Sequence, residues 1–209
     1  MKVSFYFSKC LELMVRIFYL FALILLLSPS SFAQDSFQNR LADSTVTLTN
    51  QGVRYDPSYF SLKYPNGDVP ADRGVCTDVV IRAYRKLGVD LQKEVHEDMK
   101  SNFAKYPNLW GLTSTDKNID HRRVPNLMTF FSRKGVSKPI TMNANDYLPG
   151  DIVCWNLGGS ITHIGMVVKQ TSDDGTRHLI VHNIGAGQVM EDCLFRFKII
   201  GHYSYEVGN

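Results

Sequence analysis

The hydrophobic pattern of this chain changes period once, near Leu148, and that change limits the folds open to it. Before it, apolar residues recur at helical spacing; after it, they come in short runs parted by turn residues. The clearest helical stretch begins at Arg73-Gly74-Val75-Cys76-Thr77-Asp78. Val79, Val80, Ala83, Tyr84 and Leu87 then share one face, which predicts a helix from about Thr77 to Leu87. Gly88 stands where a left-handed residue would end it. A second helix is expected around Val95, Met99 and Phe103, ending near Tyr106-Pro107. A third should bury Val124, Leu127, Met128, Phe130 and Phe131, with Pro125 in its first turn. Strands are expected at Ile152–Trp155, His163–Val168, His178–Asn183 and Leu194–Ile200, with Asp174-Gly175 turning a hairpin. Helices followed by antiparallel strands make an α+β fold, one sheet packed against the helix that carries Cys76.

The first 33 residues stand apart. Lys2, Lys9 and Arg16 precede the apolar run 17–27, and Ser31 and Ala33 occupy the two positions a signal peptidase reads. That run falls short of the roughly 20 residues needed to span a bilayer. Residues 1–33 therefore read as a signal peptide cleaved before Gln34, and the protein as exported, periplasmic or extracellular. Residues 34–51 read as an amphipathic helix or mobile arm, weakly anchored by Leu41 and Val46, and 52–209 as the main domain. A net charge of +3 with no Lys/Arg block gives nucleic acid no footing as a partner. Three cysteines remain after cleavage, Cys76, Cys154 and Cys193. A Cys154–Cys193 disulfide would leave Cys76 free, but spacing alone does not fix that pairing.

Cys76 falls at the head of its helix, where free N–H groups and the helix dipole favour a thiolate. The plain alternative is a small buried cysteine that only packs. His163 opens one strand and His182 closes the next, so pairing through the Asp174-Gly175 turn brings both rings to one end of the sheet. Nucleophile, base and orienting group are then in reach of one another. Strand alternation lets either His182 or Asn183 face His163, and His182 is favoured. Tyr55, Tyr59 and Tyr64 lie in a turn-rich loop that suits a cleft wall. Asp120-His121-Arg122-Arg123 suits a solvated or salt-bridged loop, or places Arg122 or Arg123 on a substrate carboxylate. Asp78 can cap its helix, and His96-Glu97-Asp98 should lie on the surface.

These residues carry a resemblance. Cysteine at a helix head, His163-Ile164-Gly165-Met166-Val167 on a strand and a polar residue on the next resemble the NlpC-type papain-like cell-wall cysteine peptidases. Pro149-Gly150-Asp151-Ile152-Val153 matches the turn before the histidine strand in that superfamily. Asp68-Val69-Pro70, Asp72 to Asp78, Val95 to Met99, Asn118 to Leu127, His182-Asn183-Ile184-Gly185 and Gly201-His202-Tyr203 more closely resemble the bacterial domain-of-unknown-function family 1287. The match runs from about Gln51 to Tyr205. It implies a papain-like fold and hydrolysis of an amide bond in peptidoglycan peptides, with no cofactor or metal. Cys76, His163 and His182 would be catalytic, and Tyr64, Asp78, Arg122 and Asn183 would bind substrate. The NlpC-type enzymes usually have Asp-Cys-Ser, whereas here the acid, Asp78, follows the cysteine. Two rivals stand. A zinc hydrolase could draw on Asp78, His96, His121, His163, His182 and His202, but no His-Glu-x-x-His or paired Cys-x-x-Cys spacing supports it. A catalytically silent wall-binding module could use Tyr64, Trp110, Trp155 and residues 120–123.

Overall fold

The computed structural model describes residues 35–207, so the expected signal peptide lies outside the described residues. Four α-helices precede the main strands: α1 (Phe37–Val46), α2 (Cys76–Lys86), α3 (Leu91–Ser101) and α4 (Val124–Lys134). Two two-residue strands, β1 (Arg54–Tyr55) and β2 (Arg73–Gly74), pair in parallel just ahead of α2. The main sheet holds β3 (Val136–Ser137), β4 (Ile152–Gly158), β5 (Ile161–Thr171), β6 (His178–His182), β7 (Val189–Glu191) and β8 (Lys198–Ser204). Their spatial order is β3-β8-β4-β5-β6-β7, antiparallel throughout. The α+β reading, with the Cys76 helix against an antiparallel sheet, is borne out. Among the described residues no helix is long and apolar enough to cross a membrane.

The core divides by sheet face, as strand alternation requires. Cys154, Ile164, Met166, Val168 and Val181 point to the helices, where Val79, Val80, Ala83 and Tyr84 of α2 are fully buried. Val153, Trp155, Val167 and Ile180 point the other way, under Tyr147, Cys193 and Leu194. Cys154 and Cys193 therefore belong to opposite faces, and both are free thiols. Within the expected helix or arm, Phe37–Val46 is a docked helix. Ser36 caps it by accepting from the Asn39 N–H at 3.2 Å, Leu41 and Ala42 are fully buried, and Ser44 Oγ donates to the Ala83 carbonyl at 3.1 Å.

Three expectations change. The last strand is Lys198–Ser204 rather than 194–200, because Leu194 turns into the second core and Trp155 Nε1 donates to its carbonyl at 2.8 Å. A short strand, β7, occupies 189–191, where three residues are too few to show a period. Asp98 is not on the surface: it is buried, accepting from Tyr106 Oη at 2.8 Å and from Arg133 Nε at 2.8 Å.

Gly150, in the turn before β4, joins the sheet to α1. Its φ of 88° is one that side chains avoid, and a Cβ there would overlap the backbone carbonyl of Gln38, which cannot swing aside. Gly150→Ala should therefore cost at least about 2 kcal/mol, the sum of a left-handed alanine and a backbone clash. Urea unfolding followed by circular dichroism measures it.

Candidate functional site: a thiol at a helix tip and a histidine pair

Cys76 is the first residue of α2, and the helix begins there because Asp78 organises the turn. Its carboxylate accepts the Val75 N–H at 2.7 Å, satisfying a donor left open at the helix start. The same carboxylate is gripped in a fork by Arg122, with Nε to Oδ1 at 2.9 Å and Nη2 to Oδ2 at 3.0 Å. Both side chains are buried. Arg122 Nη1 also donates to the Ser58 carbonyl at 3.1 Å, and Thr77 Oγ1 donates to the Arg122 carbonyl at 3.2 Å. One ion pair thus fixes the helix tip, the loop before β2 and the turn at 120–122 together.

The thiol faces the backbone N–H groups of Ile164, Thr77 and its own residue, each of which favours the anion. Burial outweighs them and, with Asp78 nearby, pushes the Cys76 pKa up to about 12. This corrects the thiolate expected from helix position alone. The resting group is a neutral thiol.

Register settles how the histidines meet. β5 and β6 pair Met166 with Val181, which sets His182 beside Gly165 and carries Asn183 opposite Ile164, one residue past the end of β6. His163 Nε2 and His182 Nδ1 lie 2.7 Å apart. Asn183 alternates to the helix side and donates from Nδ2 to the Gly74 carbonyl at 3.2 Å, latching the Cys76 loop to the sheet. Gly165 makes the space for His182, since a Cβ there would stand 3.1 Å from His182 Cβ and 2.8 Å from Ile180 Cγ2. Burial, then the neighbouring His182, hold the His163 pKa down at about 3, so its ring is neutral. His182 is also lowered by burial, with Glu191 opposing.

The thiol lies on the helix face and the histidine pair on the other face of the sheet, near the end of β6. Among the described residues no hydrogen bond joins Cys76 Sγ to either ring. Of the sequence neighbours of His163, Ile164 turns its N–H to the thiol and Thr162 lines the cleft above it. His163 Nε2 is engaged by His182, which leaves Nδ1 as the nitrogen without a partner among the described residues.

A cleft of about 240 Å³ opens over Cys76, lined also by Tyr55, Trp110, Arg122, Arg123 and Thr162. Arg123 stacks on Trp110 at 4.0 Å from the ring centroid, and its buried Nη1 has no hydrogen-bond partner. The four expected substrate-binding residues divide. Arg122 and Asp78 neutralise each other, and Asn183 is spent on Gly74. Tyr64 sits away from the cleft, edge-on to His96 at 5.2 Å. Tyr59 is likewise elsewhere, donating to Asp116 Oδ2 at 3.0 Å, so Tyr55 is the loop aromatic that lines the cleft. The patch at 120–123 is no solvated turn: Asp120, His121 and Arg122 are buried. Of the six residues weighed as zinc ligands, His202 is held by Asp151 and the Pro139 carbonyl, at 2.8 Å and 2.9 Å. Close behind His182 stand Glu191, which carries no sequence signal because β7 is too short to show a period, and Cys193, which the sequence offers only as a possible disulfide partner.

A family model described as "Domain of unknown function (DUF1287)" matches residues 42–205. The chain belongs to the DUF1287 family. Within reach of this DUF1287 protein is a relative from Escherichia coli (strain K12), described as "Uncharacterized protein YijF". It is 53% identical over 167 residues, which are 80% of this chain and 81% of the relative. Among solved structures, NlpC2 from Trichomonas vaginalis superposes with a TM-score of 0.44 at 16% identity, covering 83% of this chain. The chain spans about half the length of that protein, 48%.

Asp78→Ala should leave the Arg122 guanidinium buried without its partner and cost about 3–5 kcal/mol. Replacing both members with apolar residues should recover much of that loss, as chemical denaturation of the single and double variants can establish.

Proposed function

We propose that this protein is a cysteine hydrolase of papain-like, NlpC-type design that cuts an amide bond in peptidoglycan peptides. The observation that carries the reading is the thiol of Cys76 at a helix tip, under a cleft, against the strand at His163, whose ring is held by His182 at 2.7 Å. The resemblance of the sequence motifs to cell-wall peptidases suggests the substrate class, and the leader-like pattern of residues 1–33 supports work outside the cytoplasm. A cleft wall bearing Arg123, whose Nη1 makes no hydrogen bond and has only Asp120 Oδ1 at 3.9 Å as an ion-pair partner, suits a peptide that ends in, or carries, a carboxylate. In that role Arg123 replaces Arg122.

Cys76 Sγ attacks the amide carbonyl while its proton passes to His163 Nδ1. The tetrahedral intermediate expels the amine, which takes that proton, and water then hydrolyses the thioester with His163 again as base. The Cys76 N–H at the helix start is placed to stabilise the oxyanion. For Nδ1 to be the free base, His163 must carry its resting proton on Nε2 and donate it to His182 Nδ1. His182 must then be protonated on Nε2, which lies 3.5 Å from Glu191 Oε2. Glu191 thus selects the productive tautomer. With thiol and imidazole both neutral at rest, proton transfer accompanies attack rather than preceding it.

A second reading, a silent wall-binding module on the same fold, draws on the high pKa of the Cys76 thiol. Purified peptidoglycan separates the two. Wild-type protein should release muropeptides and Cys76→Ala should lose at least about 10³-fold in rate; binding with no release by the wild type would favour the module. His163→Ala should match Cys76→Ala. The depressed His163 pKa keeps the base unprotonated well below the usual histidine range. The acid limb of kcat/KM should therefore fall below about pH 5 rather than near 6.5. An acid limb at the ordinary histidine pKa would contradict the buried neutral pair.

A further inference from the structure

We propose that His182, Glu191 and Cys193 form a preorganised site for a zinc-class divalent cation, placed directly behind the catalytic histidine pair. One nitrogen, one carboxylate oxygen and one sulfur from these residues lie within 4.8 Å of one another. His182 Nε2 is 3.5 Å from Glu191 Oε2 and 3.7 Å from Cys193 Sγ. The first is a long ion-pair distance and the second an ordinary thiol–imidazole hydrogen bond, and both are close to the edges of a tetrahedron around zinc. Ordinary zinc bond lengths give about 3.4 Å for nitrogen to oxygen and about 3.6 Å for nitrogen to sulfur. Imidazole, thiolate and carboxylate together suit zinc or cobalt rather than calcium or magnesium.

The surroundings fit as well. His182 Nδ1 is already held by His163 at 2.7 Å, the outer hydrogen bond that orients a ligating imidazole. His182 and Cys193 are buried, whereas Glu191 is partly exposed and gives the cation a way in from solvent, with water for the fourth position. Arg196 is the competitor, its Nη1 on Glu191 Oε2 at 2.8 Å; its side chain is half exposed and free to release the carboxylate.

Occupancy has a consequence that rests on the proposed hydrolase reading, although the site itself does not. A cation on Nε2 moves the His182 proton to Nδ1, where it is donated to His163 Nε2. His163 then carries its own proton on Nδ1 and cannot accept one from the thiol. The cation is an inhibitor, acting through a ring tautomer from behind the site, and none of its three ligands lines the cleft over Cys76.

Chelator-stripped protein titrated with Co²⁺ tests this, followed by the thiolate-to-cobalt charge-transfer absorption, with Zn²⁺ affinity read by competition with a chromophoric chelator. One equivalent should bind, with the band kept in Cys76→Ala and lost in Cys193→Ser. Cys193→Ser should also weaken Zn²⁺ by at least about a hundredfold while keeping its circular dichroism spectrum. No band, or a band that survives Cys193→Ser and disappears in Cys76→Ala, overturns the site. In parallel, Zn²⁺ should suppress muropeptide release by the wild type and a chelator restore it, with Cys193→Ser more resistant relative to its own untreated rate. Stoichiometric binding by a protein inactive on peptidoglycan would uphold the cation site and refute the hydrolase.

Discussion

The buried fork between Asp78 and Arg122 is the constraint on which the rest of the site depends. The two residues are 44 positions apart, and their pairing ties the head of α2 to the turn before α4 and, through the Ser58 carbonyl, to the loop above the cleft. Removing two charges from water is costly, and a well-packed apolar pair can be equally stable. What an apolar pair lacks is direction. The fork accepts the Val75 N–H and holds three backbone segments at fixed distances, so the position of Cys76 follows from it.

The sheet makes the second contribution. Alternation would separate a thiol on the helix face from rings on the other face, and in the middle of a strand it would keep them apart. Here β6 ends at His182, and the next residue, Asn183, turns to Gly74. The gap this leaves beside Ile164 lets the thiol meet the strand edge-on. Gly165 completes the arrangement by leaving room for His182 against the strand. A helix tip, a strand end and one missing side chain accomplish together what no single element could.

Much of this was legible in the sequence, and the limits were physical. The α2 pattern of Val79, Val80, Ala83 and Tyr84 is strong because one whole face is buried. A period of two and a turn at Asp174-Gly175 favour His182 opposite His163 but leave Asn183 open, and the register of Met166 with Val181 decides between them. Short elements are not legible: Val189–Glu191 is too brief to display alternation, so nothing in the sequence sets Glu191 beside His182, and Cys193 reads only as a possible disulfide partner of Cys154. The fates of Arg122 and Arg123 depended on a partner remote in the chain, since neighbouring identical side chains differ only in which finds Asp78 and which finds Trp110. The ionisation of Cys76 was misjudged for a related reason. Helix position is written locally, whereas burial is a property of the assembled molecule.

The six-stranded order leaves β3 and β7 at the margins, with two and three residues respectively. A long bare margin would offer a row of unpaired amides on which a neighbouring copy could add a strand. These margins are too brief to template such growth, while the longer central strands, β4 and β5, are flanked on both sides. The margins of the main sheet therefore offer an incoming strand only two or three residues to pair with.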